Sequence, residues 1–243
     1  MAELLIEPGH AETRRLAAIT HGYDYFATIW LDGPLRLTEP ALREWIADLA
    51  PVAPALAARC TDLARLLDDS GERADADEDF QSCLIVPQPG RYLPPYASAW
   101  IDGADALWSP TTMRVLRCYE QAGLDWQGPA QSSDRPWVRA PDHLGIECAF
   151  IAELTTESAQ RHAGGCDPAA SQDPSAVATS FVVDHMRTWI PAYAADLAAR
   201  ARSRYWRQAA DVLATWLHQD SLLPSGARLA ATSPAPSPGA GSP

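Results

Sequence analysis

Asp142 and His143 stand side by side, and Glu147 follows four residues after the histidine. A carboxylate beside an imidazole is a minimal acid–base pair, because histidine titrates near neutral pH and its neighbour can shift and orient it. On a helix, His143 and Glu147 share a face and can pair. His185 would complete a metal set with them if the fold brought all three together. Neither a Gly-x-Ser-x-Gly nucleophile turn nor a His-Glu-x-x-His metal pair accompanies these residues. The competing reading is structural: Asp142 caps the helix that it begins, and His143 is a surface or hinge residue. No catalytic residue, metal site or cofactor is expected.

Two further segments are suited to binding. In Arg91-Tyr92-Leu93-Pro94-Pro95-Tyr96-Ala97-Ser98 the paired prolines stiffen an extended turn, with Tyr92, Tyr96 and the following Trp100 held out from it. Rigid aromatic rings make good peptide-binding surface, since little rotamer freedom is lost on contact. The alternative is a connector whose aromatics pack inward. In the run from Phe181 to Tyr193, Phe181, His185 and Trp189 recur at four-residue steps as one stripe. Such a stripe is most often core, and its histidine a hydrogen-bonded one.

The elements that must position these residues read as helices. Apolar residues recur at three- and four-residue steps over 11–31, 42–50 and 52–68. Ser109-Pro110 has the form of an N-cap followed by proline at the first helical position, and that helix should stop near Gly123. Another begins at Asp142. The last third reads as a helix from Val177 to Trp189, a restart at Pro191, and a helix from Arg202 to Gln219. No segment alternates over strand length. The expected fold is all-α, a single helical domain over 11–222 with a proline-rich connector and a hinge loop at about 127–141. A lead-in (1–10) precedes it, and a disordered Pro/Ser/Ala tail (223–243) follows. Residues 68–79, with seven acids against one arginine, read as a solvated loop.

Composition narrows the partners. The net charge is −12, every basic side chain is arginine, and lysine and asparagine are both absent. A negative field repels nucleic acid and anionic lipid and favours basic ligands, although acidity also serves solubility alone. No apolar run approaches the roughly 18 residues of a membrane span, and the acidic N-terminal stretch does not read as a secretory signal. Cys60, Cys83, Cys118, Cys148 and Cys166 are dispersed without Cys-x-x-Cys spacing, which fits a reducing compartment and a cytoplasmic location.

The three segments, in this order, resemble the TorD/DmsD family of redox-enzyme maturation chaperones, to which the NarJ proteins are related. The likeness is carried by Pro94-Pro95-Tyr96-Ala97-Ser98, by Pro141-Asp142-His143-Leu144-Gly145 with Glu147 and Phe150, and by Phe181 to Tyr193. Arg204-Tyr205-Trp206 and Leu213, Trp216, Leu217 and Asp220 resemble the family's closing helix. Ala140 departs from it, standing where relatives carry glutamate. The resemblance implies a helical bundle that binds the twin-arginine leader peptide of a molybdopterin oxidoreductase and assists cofactor loading before export. It further implies contact with the catalytic subunit, as a monomer or a domain-swapped dimer hinged at 127–141. The peptide-binding residues expected on that basis are Tyr92, Pro95, Tyr96, Ser98, Asp142, His143, Glu147, His185 and Trp189. Nine tryptophans and the acidic balance suit such a ligand. A NarJ-like chaperone for a nitrate-reductase-type catalytic subunit is the near alternative. A helical metal-dependent enzyme using Asp142, His143 and Glu147 is the distant one. Leu144-Gly145 and Trp189-x-Pro191 lean towards the TorD/DmsD branch.

Overall fold

Leu16, Ile19, Tyr23, Phe26 and Trp30 fall on one face at helical spacing and are each no more than 1% exposed. They make helix α1 (Pro8–Asp32) the axis around which the chain folds. A computed structural model describes residues 8–36, 39–103, 107–130, 135–164 and 173–224. The chain continues through α2 (Glu39–Leu49), α3 (Pro54–Leu66), α4 (Ser70–Asp79), α5 (Ala97–Ile101), α6 (Pro110–Gln121) and the short α7 (Gln127–Ala130). It closes with α8 (Leu144–Gly164), α9 (Pro174–Phe181), α10 (Arg187–Arg200) and α11 (Arg204–His218). Among the described residues the only β pairing is a single antiparallel bridge between Tyr96 and His143, so the fold is all-α, as the periodicity requires.

Helix α8 lies along α1 as its main partner, and α11 packs on α10 and α3. Gly145 permits the α1–α8 approach: a Cβ there would come within 2.6 Å of Leu31 Cγ and 3.2 Å of the Ala27 carbonyl oxygen. Beside this pair sits an aromatic cluster. Tyr25 stacks on Trp45 at 4.5 Å, Phe26 meets Trp216 at 5.7 Å, and Trp30 meets Trp206 at 5.3 Å. The Trp30 indole donates to Tyr193 Oη at 2.8 Å. Five tryptophans (30, 45, 189, 206 and 216) are thus core, not binding surface.

The acidic stretch 68–79 is a correction. It forms α4, because Asp69 accepts from Glu72 N and caps the helix, and Ala76 and Asp79 turn inward. Asp79, 1% exposed, receives Arg91 Nη2 at 2.5 Å and Ser203 N at 2.7 Å, so it clasps the proline connector to the start of α11. Ser109 makes no capping bond of its own; Asp102 Oδ2 accepts from both Ser109 Oγ and Thr111 N and takes that role. Gly123 sits at φ +72°, where α6 ends as expected. There is no restart at Pro191, which lies inside α10.

Half of the expected hinge is anchored. Arg135 grips Asp32 through Nε and Nη2, each at 2.6 Å, and Tyr96 Oη donates to the Trp137 carbonyl at 2.7 Å. Leu223 and Pro224, assigned to the tail by composition, are buried. Arg15 there donates to the carbonyls of Leu223 and Pro224. The remainder of the tail, Cys166 and the first seven residues lie outside the described residues. Cys60, Cys83, Cys118 and Cys148 are free thiols.

Candidate functional site

The site begins as backbone. Pro95 disfavours the helical conformation for Pro94 before it, so the connector runs extended and pairs with Pro141-Asp142-His143. Leu144 N donates to the Pro95 carbonyl at 2.8 Å and Ala97 N to the Asp142 carbonyl at 3.0 Å. The two sequence segments are therefore one structural bracket from which α5 and α8 both leave.

Asp142 does not cap the helix that follows it. Its Oδ2 accepts Ser98 N at 2.8 Å and caps α5 instead, while Oδ1 is buried without a partner. His143 serves its own helix: Nδ1 accepts Gly145 N at 3.1 Å, which places the proton of the neutral ring on Nε2. Its ring meets Tyr96 edge-on at 5.1 Å. Burial, with a smaller contribution from the Arg135 charge, pushes the His143 pKa down to about 3, so the ring is neutral at physiological pH. The expected His143–Glu147 pairing does not form. Glu147 turns to His185, Oε1 to Nε2 at 2.7 Å, with its Oε2 left unpartnered. Burial raises the Glu147 carboxyl, and His185 offsets this only in part. For His185, burial pulls downward, but Glu147 outweighs it and the imidazole stays above its ordinary value.

The rings expected to project from the connector do not. Tyr96 is 3% exposed, held by Trp137 and by Arg139 N at 3.1 Å, and Pro95, Ser98, Asp142, His143 and Trp189 are buried with it. Tyr92 is half-buried. Extended pairing turns Tyr96 inward, and two backbone partners for its hydroxyl make that position favourable.

What opens to solvent is a groove of about 880 Å³ between α5, α6 and the α9–α10 rod. Its walls are mostly apolar, with Trp100, Ile101, Val115, Val177 and Phe181 facing Arg114, Asp173, Asp184 and His185. Trp100 is oriented by donating its indole N–H to the Pro94 carbonyl at 2.9 Å. A π turn over Val182–Met186 interrupts the helical stripe and carries Asp184 and His185 to the groove; such turns recur at functional sites. Of the nine residues expected at the site, His185 lines the groove, with Glu147 directly behind it. Asp142 and Ser98 cap α5, which supplies Trp100 and Ile101. Spacing brought the motifs together but missed Arg114, Val115, Val177 and Asp184, which carry no signal until α6 and α9 are seen to face each other. Among the described residues no group of three or more His, Cys, Asp or Glu side chains could hold a metal ion.

The motifs thus build a bracket behind an open, mostly apolar groove. The family model for the nitrate reductase delta subunit matches residues 49–195, which include all three motifs. The chain belongs to that family, the NarJ-related chaperones that assemble molybdoenzymes, and it is a chaperone and not a catalyst. Neither the curated proteins nor the solved structures gave a match. No helix among the described residues is long and apolar enough to cross a membrane.

Proposed function

We propose that this chaperone works in the cytoplasm and holds the twin-arginine leader of a molybdopterin oxidoreductase in the groove between α5, α6 and α9 until the catalytic subunit is loaded. The observation that carries the reading is the groove itself: an apolar channel of about 880 Å³ with few, well-placed polar groups. An amphipathic or extended segment buries its apolar side in such a channel. His185 touches the ligand; Glu147 and Trp189 fix His185 and the wall behind it. Pro95, Tyr96, Ser98, Asp142 and His143 act through the bracket that sets α5, and Tyr92 acts through the connector.

The test is calorimetric titration of the full chain with the leader of its client, a lysine-lysine version and a Val177→Asp protein. Micromolar binding that weakens with the lysine exchange and is lost in Val177→Asp supports the reading. No binding to the wild-type chain rejects it. The match to the nitrate reductase delta family favours a second reading, in which the groove holds the N-terminal segment of a nitrate-reductase-type catalytic subunit. Binding would then ignore the arginine-to-lysine exchange.

A further inference from the structure

A second cavity, of about 340 Å³, lies at the C-terminal end of α6. Tyr119, Leu124, Trp126, Ile146 and Phe150 form its walls, and Asp24, Asp125 and Glu153 complete the lining, with no basic side chain among the lining residues. The large groove differs in charge, since its Asp173 and Asp184 are opposed by Arg114 and His185. The two cavities are neighbours across a single aromatic layer. Phe181 lines the groove, Tyr119 and Phe150 line the smaller cavity, and their ring centroids lie 6.2 and 5.1 Å from Phe181. Exposed apolar side chains also stand between the two openings. Ile101, at the groove, is followed along the chain by exposed Leu107 and Trp108, and Trp108 contacts Trp126 of the smaller cavity at 6.2 Å.

We infer that the smaller cavity takes the arginine side chains of the client segment whose apolar stretch lies in the groove, an assignment that rests on the function proposed above. Guanidinium is the cation that this chemistry selects. It accepts an aromatic face on one side and bonds carboxylates with a planar fork on its edge, whereas ammonium keeps its hydration shell. All three carboxylates stand exposed at the rim; partial burial still raises the Asp24 carboxyl, and the Glu153 charge adds to this against an opposing pull from His21. An arriving cation relieves that repulsion. The segment that fits is basic at one end and apolar along its middle.

The experiment uses the full chain and a D24N/D125N/E153Q variant, with unchanged melting temperature as the control for folding. Three leader peptides are titrated: arginine-arginine, lysine-lysine, and one lacking the basic pair. In parallel, acetyl-Arg-Arg-amide is added while the Trp126 indole N–H is followed by NMR, assigned with Trp126→Phe. The expected result is a loss of about tenfold or more in affinity for the arginine leader in the variant, with arginine and lysine leaders bound alike. The leader without the pair should bind both proteins equally, and the dipeptide should shift Trp126 only in the wild type. Undiminished arginine preference in the variant overturns the assignment while leaving the groove intact. If the wild-type chain binds no leader, the proposed function fails and the dipeptide decides alone: a Trp126 shift lost in the variant supports a guanidinium site, and no shift overturns it.

Discussion

His143 shows how one side chain can look catalytic in a sequence and be structural in the fold. It is 1% exposed, accepts a backbone N–H, and is held neutral by burial. A folded pKa of about 3 against an ordinary 6.5 means that the unfolded chain binds the proton first. Its contribution is therefore complete above about pH 6.5 and is lost as pH falls towards 3, at up to about 1.4 kcal/mol per pH unit. Glu147 and His185, both raised, act in the opposite sense, since their contributions decline as pH rises. Comparison with His143→Gln cancels them. The stability difference between wild type and variant, measured by urea unfolding, should shrink by about 2 kcal/mol between pH 6.5 and pH 5. A constant difference would mean that the ring is not held neutral. Trp108 is the opposite case, 52% exposed and, among the described residues, the only non-glycine with positive φ, at +64°. A left-handed backbone costs a bulky residue about 1–2 kcal/mol. Trp108→Gly should hold or raise the melting temperature and weaken client binding. A lower melting temperature with unchanged binding would make Trp108 a packing residue.

The helices were legible where apolar residues recur along one face, as in α1, α3 and α6. Composition misled at 68–79, because six exposed or half-exposed acids concealed Ala76 and Asp79, which turn inward three residues apart. Asp79 also binds groups 12 and 124 residues away, a partnership no local pattern reveals. Asp79→Ala removes both bonds and leaves the Arg91 guanidinium without its carboxylate, with only Cys83 Sγ still accepting from it, so denaturation should report a loss of about 2–4 kcal/mol. Asp77→Ala, two residues earlier on the same helix but exposed, should stay within about 0.5 kcal/mol. Equal effects at the two positions would return the stretch to a solvated loop. The motifs around Pro95, Asp142 and His185 were legible as a set, and the fold joins the first two by backbone pairing. Their exposure was not legible. Whether Tyr96 points out or in depends on Trp137 and Arg139, some forty residues away. The groove was hidden for the same reason, its walls coming from three separated segments.

At the scale of the whole molecule the net charge of −12 acts before any contact forms. It draws a basic segment towards the surface and speeds encounter, and salt removes it, since the Debye length shrinks from about 30 Å at 0.01 M to about 3 Å at 1 M. Arginine and lysine leaders carry equal charge, so this field treats them alike. What separates them is short-range geometry, a planar fork against carboxylates at hydrogen-bonding distance, which lies within the Debye length across that salt range. Stopped-flow binding across that salt range should therefore show association rates for both leaders falling together, while the ratio of their dissociation rates stays nearly constant. A preference for arginine that fades in step with the association rate would assign recognition to the field of the molecule and not to the cavity beside Trp126.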